Sequence, residues 1–268
     1  MSNAETPPAI AKEVWRDLGR ELDAIACQEP ALAGYLKRLT SSRQSPQQVL
    51  ALRLAQGLAH PDMSADHVST ILMEALQSRP SIANAAAQDL FTIRSNDPAS
   101  RTYAHAFLNY GGFHAVQVAR MAHAFWHVSR VDLAAWLSNR ASVAFGPDIH
   151  PAAQLGTGIM LDHGAGIVVG ETAVVEDDVT ILQNVTLGGT GKIRGDRHPK
   201  VRRGVMIGVG ANILGNIEIG AFSKIAAGSV VLKDVPARCT VAGVPARIVR
   251  LHQATEFTAD RRQPSRVC

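Results

Sequence analysis

Cysteine is scarce in this 268-residue chain: Cys27, Cys239 and Cys268 are far apart and odd in number. They fit no disulfide framework and no paired metal-ligand spacing, so a reducing compartment, the cytoplasm, is the expectation. No apolar run approaches the ~18 residues needed to span a bilayer. The first residues, "MSNAETPPAIAKEVW", have neither a basic start nor an apolar core, so no export signal is read there. Aromatic residues make up 5% and the net charge is +4. Without a recognition motif, that balance does not argue for nucleic acid. What is present is 46% hydrophobic content, normal for a packed protein, over a length that suits one large domain or two ordinary ones.

Two periods divide the chain. From about residue 8 to 143 apolar residues recur at helical spacing. Val14, Leu18, Leu22 and Ile25 share one face; Val68, Ile71, Leu72, Ala75 and Leu76 share another, after Ser64 as N-cap. Ser81 reads as a second cap, and "GGFHAVQVARMAHAFWHVSR" and "VDLAAWLSN" as further helices. After about residue 145 an aliphatic residue recurs every sixth position: Ile149, Leu155, Leu161, Ile167, Ala173, Val179 and Val185, then Val201, Ile207, Ile213, Ile219, Ile225 and Val231. Six residues suit one short strand plus a corner, and three such units close a triangular coil of about eighteen residues. The gap between Val185 and Val201 reads as one repeat plus ten residues, an arm leaving the prism. The domains are therefore expected at 1–144 (helical), 145–250 (repeats, with an excursion at 186–200) and 251–268 (a mobile tail).

"DIHPAA", "LDHGAGIVVGETAVVEDDVTILQNVTLGGTG", "GDRHPK" and "AGVPARIV", behind a helical N-terminal domain, resemble the serine acetyltransferases up to about residue 250. The resemblance implies an all-helical N-terminal domain followed by a left-handed parallel β-helix of hexapeptide repeats, an exception to the usual right-handed crossover. It also implies trimers or dimers of trimers. The implied reaction moves acetyl from acetyl-CoA to the L-serine hydroxyl, giving O-acetyl-L-serine and CoA, the first step of cysteine biosynthesis.

Such a transfer needs no metal. It needs a base near neutral pKa, a partner that holds the base in one tautomer, oxyanion donors and a cradle for CoA. Read alone, His163 is a corner imidazole, Asp148 a turn aspartate and Asp97 a helix N-cap before Pro98. By resemblance, His163 is the general base and Asp148 orients it. Asp97 and Asp162 face the substrate ammonium, Arg197 meets the substrate carboxylate, and His198 is the second catalytic and substrate-binding histidine. Arginine suits a carboxylate because its planar fork gives two bonds. Gly189, Gly210, Ala211, Ala227, Lys233 and Arg247 are matched to CoA, and the cationic run Lys192, Arg194, Arg197, Lys200, Arg202 and Arg203 would attract its phosphates. Repeat counting puts His163 and His198 on different sides of the prism, so the site is expected between subunits.

Rival readings are an acetyltransferase acting on homoserine, a sugar or an antibiotic, a zinc hydratase, and a repeat scaffold without catalysis. The sugar and antibiotic enzymes usually lack so long a helical domain. A hydratase wants histidine spacing that His150, His163 and His198 do not show, and His123 and His127, although four apart, lack a third ligand. Departures from the family pattern are Ala226 for glycine and Ile193–Arg194 for small residues. L-cysteine is expected as a feedback inhibitor, since it differs from serine by sulfur for oxygen. The family often ends in isoleucine, which enters the active site of O-acetylserine sulfhydrylase; this chain ends in Val267–Cys268.

Overall fold

The computed structural model describes residues 8–40 and 44–253. Its helices are α1 (Pro8–Gln28), α2 (Pro30–Thr40), α3 (Pro46–Leu58), α4 (Ala65–Ser78), α5 (Ser81–Asn96), α6 (Tyr103–Asn109), α7 (Gly111–His127) and α8 (Val131–Phe145). The expected apolar stripes face inward: Val14, Leu18, Leu22, Val68, Leu72, Ala75 and Leu76 are all buried. Ser64 caps α4 by accepting from the His67 N–H at 3.2 Å. Ser81 does not cap α5; it is the first helical residue, behind Pro80. Helix α3 begins with a reciprocal box, in which Ser45 Oγ accepts from Gln48 N and Gln48 Oε1 from Ser45 N.

From Asp148 the chain winds as a three-sided parallel coil. Face one holds β1 (Asp148–Ile149), β4 (Val168–Val169), β7 (Thr186–Gly188), β10 (Asn212–Leu214) and β13 (Val230–Val231). Face two holds β2 (Gln154–Leu155), β5 (Val174–Val175), β8 (Lys200–Val201) and β11 (Glu218–Ile219). Face three holds β3 (Met160–Leu161), β6 (Thr180–Ile181), β9 (Met206–Ile207), β12 (Lys224–Ile225), β14 (Cys239–Gly243) and β15 (Ala246–Leu251). Among the described strands of the coil, the β14–β15 pair is antiparallel and the others are parallel. Strand β15 carries ordered pairing to Leu251, the first residue of the tail expected to be mobile. Residues 254–268, most of the expected tail and including Val267–Cys268, lie outside the described residues.

Of the thirteen positions in the six-residue pattern, twelve are buried and Leu155 is half-buried. Burying a Val or Ile side chain contributes about 1.5–3 kcal/mol, so these rungs form the prism core. The register nevertheless differs from the count. Ile149 pairs with Val169 and Leu161 with Ile181, twenty residues on, whereas Val169 pairs with Leu187 and Val201 with Ile219 at eighteen. Two extra residues therefore sit in the corner after Leu161. The arm adds eight residues, not ten, since Val175 pairs with Val201. Each rung buries two positions two residues apart, for example Ile167 with Val169 and Val185 with Leu187. A count by sixes crosses from one stripe to the other without losing an aliphatic residue.

Helices and prism are knit by a buried ion pair. Asp89 of α5 accepts from Arg120 and Gln117 of α7 and from the Ile159 N–H of the first coil, while Arg120 also donates to Gly156 O. Both charges lie in the interior, at 0% and 8% exposure, and removing either partner of such a pair costs about 3–5 kcal/mol. No helix among the described residues is long and apolar enough to cross a membrane.

Candidate active site

The two extra residues make the corner that carries His163. Gly164 N donates to Asp162 O at 2.6 Å, closing a three-residue turn with His163 at its centre. His163 has φ 56°, a left-handed conformation unfavourable for a side chain with Cβ, and Gly164 and Gly166 follow at φ 75° and 66°. Non-glycine residues held this way cluster at functional sites. The N-terminus of α7 presses on this corner: a Cβ on Gly112 would stand 2.0 Å from Leu161 O. The imidazole is 74% exposed, with Nε2 3.9 Å from Asp162 Oδ1. Asp148 borders the same corner, its N–H donating to Ile167 O at 2.8 Å and its side chain exposed. Among the described residues no hydrogen bond joins Asp148 to His163, so the expected dyad is adjacent but open in the single chain.

Asp97 is not a helix N-cap. It is the C-cap of α5, its Oδ1 accepting from Ala99 N at 2.8 Å, and the next helix starts only after Thr102. Its other oxygen accepts from the Tyr110 hydroxyl at 2.6 Å. Burial first, then the hydrogen bond and charge of Asp97, push the Tyr110 phenol up to about 12, with the charge of Asp162 contributing. Tyr110 thus links the two aspartates matched to the substrate ammonium. Sequence reading missed it, and only its place directly before the Gly111–Gly112 helix start could have drawn notice.

Arg197 and His198 lie at a different corner, between faces one and two. Arg197 donates to Glu171 Oε2 at 2.5 Å and to Gly195 O at 3.0 Å. His198 is 7% exposed and lies over Gly170, where a Cβ would fall 2.0 Å from the ring. Burial, then the neighbouring Arg197 charge, hold His198 below the usual imidazole range. The cationic run is largely paired within the chain: Lys200 with Asp196, Arg202 with Glu176 and Glu218, and Arg203 with Asp178. Attraction of phosphates by the whole run is therefore weaker than its sequence suggests, because four of the six cations already have carboxylate partners.

The residues matched to CoA divide between the edges. The corner of His163 is stacked on three others by backbone bonds, Asn184 N to Ala165 O, Gly210 N to Gln183 O and Gly228 N to Val209 O. At about 4.8 Å per coil this edge runs roughly 14 Å from His163 to the exposed Ala227. Gly210 has φ 69° and open space where a Cβ would be. Ala211 is fully buried with both backbone groups bonded, so it faces the core and not the edge. Gly189 abuts Arg197 at the base of the arm, exposed Lys233 follows β13 on that same edge, and Arg247 is exposed on β15. His123 and His127 pair with each other, Nε2 to Nε2 at 2.8 Å; among the described residues no group of three metal-ligating side chains comes together.

A triangular coil interrupted by a histidine at one corner and a basic arm at the next, under a helical cap, defines a hexapeptide-repeat acyltransferase. Comparison narrows the class. Residues 14–118 match the family described as "Serine acetyltransferase, N-terminal". The serine acetyltransferase of Haemophilus influenzae is 51% identical over 251 residues, 94% of each chain. A serine acetyltransferase solved in complex with cysteine superposes with a TM-score of 0.90 at 50% identity, over 95% of this chain and 99% of that one. The Brucella abortus enzyme solved with coenzyme A gives 0.87 at 46% identity, over 90% and 96%. The chain belongs to the serine acetyltransferase family, and its fold is that family's helical domain followed by a left-handed parallel β-helix.

Proposed function

We propose that this protein transfers the acetyl group of acetyl-CoA to the hydroxyl of L-serine, giving O-acetyl-L-serine and CoA, as a cytoplasmic enzyme of cysteine biosynthesis. The observation that carries the mechanism is the exposed His163 ring, set in a left-handed turn at the corner that holds two extra residues. His163 takes the serine hydroxyl proton as the oxygen attacks the thioester carbonyl. Asp148, at the end of the same corner, closes on the ring to fix its tautomer and balance the imidazolium. The proton then passes to the departing CoA thiolate. Asp97 and Asp162 hold the ammonium, and Arg197 exchanges Glu171 for the substrate carboxylate. The pantetheine arm runs along the edge from His163 past Gly210 to Ala227, with Lys233 and Arg247 toward the phosphates.

His163 and the Arg197–His198 pair occupy the two opposite edges of face one. A threefold arrangement of prisms would bring one edge of each chain against the other edge of its neighbour, so the complete site is shared between subunits. Trimers, alone or paired into hexamers, are the assembly that this requires. L-cysteine fits the same ammonium and carboxylate contacts and acts as a feedback inhibitor.

Thiol release from acetyl-CoA is to be measured with serine, homoserine and galactosides as acceptors. Serine is expected to be strongly preferred, and His163→Ala to lower turnover about 10²–10⁴-fold, the usual contribution of a general base. Preference for another acceptor, or full turnover by a correctly folded His163→Ala protein, overturns the reading.

A further inference from the structure

Thr172 stands in the second-coil corner beneath the base of the arm, and its polar atoms are turned toward Asp196, Arg197, His198 and Lys200 of that arm. Its Oγ1 accepts the N–H groups of Arg197 and His198, each at 3.0 Å. A hydroxyl oxygen has two lone pairs, and both are then taken, so its own proton must be donated. Two acceptors are within its reach: His198 Nδ1 at 2.9 Å, toward which the Thr172 main-chain N–H also points at 3.1 Å, and the carboxylate of Asp196. The main-chain N–H can only donate, so it alone makes Nδ1 an acceptor and leaves no place for a proton there. In the neutral ring the proton must sit on Nε2, which has no hydrogen-bond partner among the described residues.

We infer that Thr172 is a positioning residue that locks His198 as a neutral imidazole with its proton on Nε2, so that His198 serves as a hydrogen-bond donor to the substrate and not as a base. This deepens the proposed function, on which the identity of the acceptor rests: the nearest suitable group is an oxygen of the amino-acid carboxylate held by Arg197.

The surroundings keep the ring in that state. Lys200 Nζ donates to Thr172 O at 2.7 Å and to His198 O at 2.9 Å, clamping the two residues and placing a cation behind the ring. Arg197, Lys200 and His150 all oppose an imidazolium at His198, whereas Glu171 alone favours it. Burial acts in the same direction as the cations and is the largest cause. Gly170 packs directly against the ring, since a Cβ there would sit 2.1 Å from Nε2.

The test is ¹⁵N magnetic resonance of the full-length protein labelled at histidine, with the His198 signals identified by their loss in His198→Gln. Wild type is expected to show protonated Nε2 and bare Nδ1, with imidazolium appearing only below the ordinary imidazole range. Thr172→Val frees the Arg197 and His198 N–H groups from Oγ1, so the ring is expected to leave the main-chain N–H of residue 172, and the Nδ1–H tautomer or imidazolium should appear near pH 7. KM for serine should then rise about tenfold with a smaller change in kcat, as expected for one lost hydrogen bond to a charged group; Thr172→Ser should restore both. A protonated Nδ1 in wild type, or an unchanged His198 spectrum in a folded Thr172→Val protein, overturns the inference. If Thr172→Val does not fold, the wild-type spectrum decides by itself. Failure of the serine assay would leave this spectrum untouched, so the two proposals fall separately.

Discussion

Asp97 has each carboxylate oxygen committed, one to Ala99 N and one to the Tyr110 hydroxyl, so a substrate ammonium would meet an acceptor that is already aimed. Tyr110→Phe removes the donor and frees Oδ2 to turn. The expected result is a rise in KM for serine of about five- to tenfold with kcat changed less, the effect of losing one charge-assisted hydrogen bond. Steady-state kinetics against serine, at saturating acetyl-CoA, checks it. The effect should be uniform from pH 6 to 9, because a phenol pushed up to about 12 stays protonated throughout that range. Neither the cap nor the tyrosine was legible in the sequence. Asp before Pro suits the start of a helix, but here α5 has not finished when the pair arrives, and the side chain closes its end. The Tyr110 contact spans thirteen residues across a helix, and no local pattern encodes it. His163, Asp162, Arg197 and Asp148 could be named because their motifs are contiguous. Thr172, Glu171 and Tyr110 could not, because each acts through folding that brings a distant segment to it.

At the scale of elements, the approach of α7 to the first coil governs where His163 stands. Gly112 is there because nothing larger fits against Leu161 O. Gly112→Ala should lower stability by about 1–3 kcal/mol through overpacking, and should lower activity as the corner shifts. Gly34→Ala, in α2 with open space around it, should do the opposite and stabilise by about 0.5–1 kcal/mol through helix propensity alone. Thermal melts of the two variants beside wild type, with activity at 25 °C, separate these signs. The rungs themselves were readable, because a six-residue period in aliphatics has one economical structural solution. The offset of two residues at the His163 corner was not, because Ile167 and Val169 are both buried and either serves as the rung in a count. Pairing partners, which sequence does not display, settle the difference.

For the whole molecule, His163 and the Arg197–His198 pair stand on opposite edges of face one, and the proposed function shares one site between chains. Chains inactivated by His163→Ala and chains inactivated by Arg197→Ala are therefore expected to recover activity when refolded together. In the proposed trimers, random mixing would leave some interfaces with both intact edges. Activity measured across mixing ratios should peak near equal amounts; no recovery in verified mixed assemblies removes the shared site. The Asp89–Arg120 pair makes the same point within a chain, since it ties the helix that ends at Asp97 to the coil that begins at Asp148. The added pair of residues after Leu161 has a last consequence. An engineer seeking a tidier solenoid would average the rungs into a consensus, and the averaging would erase the offset after Leu161. The result would be a smoother, sturdier rod with no imidazole at its rim, handsomely folded and inert toward acetyl transfer.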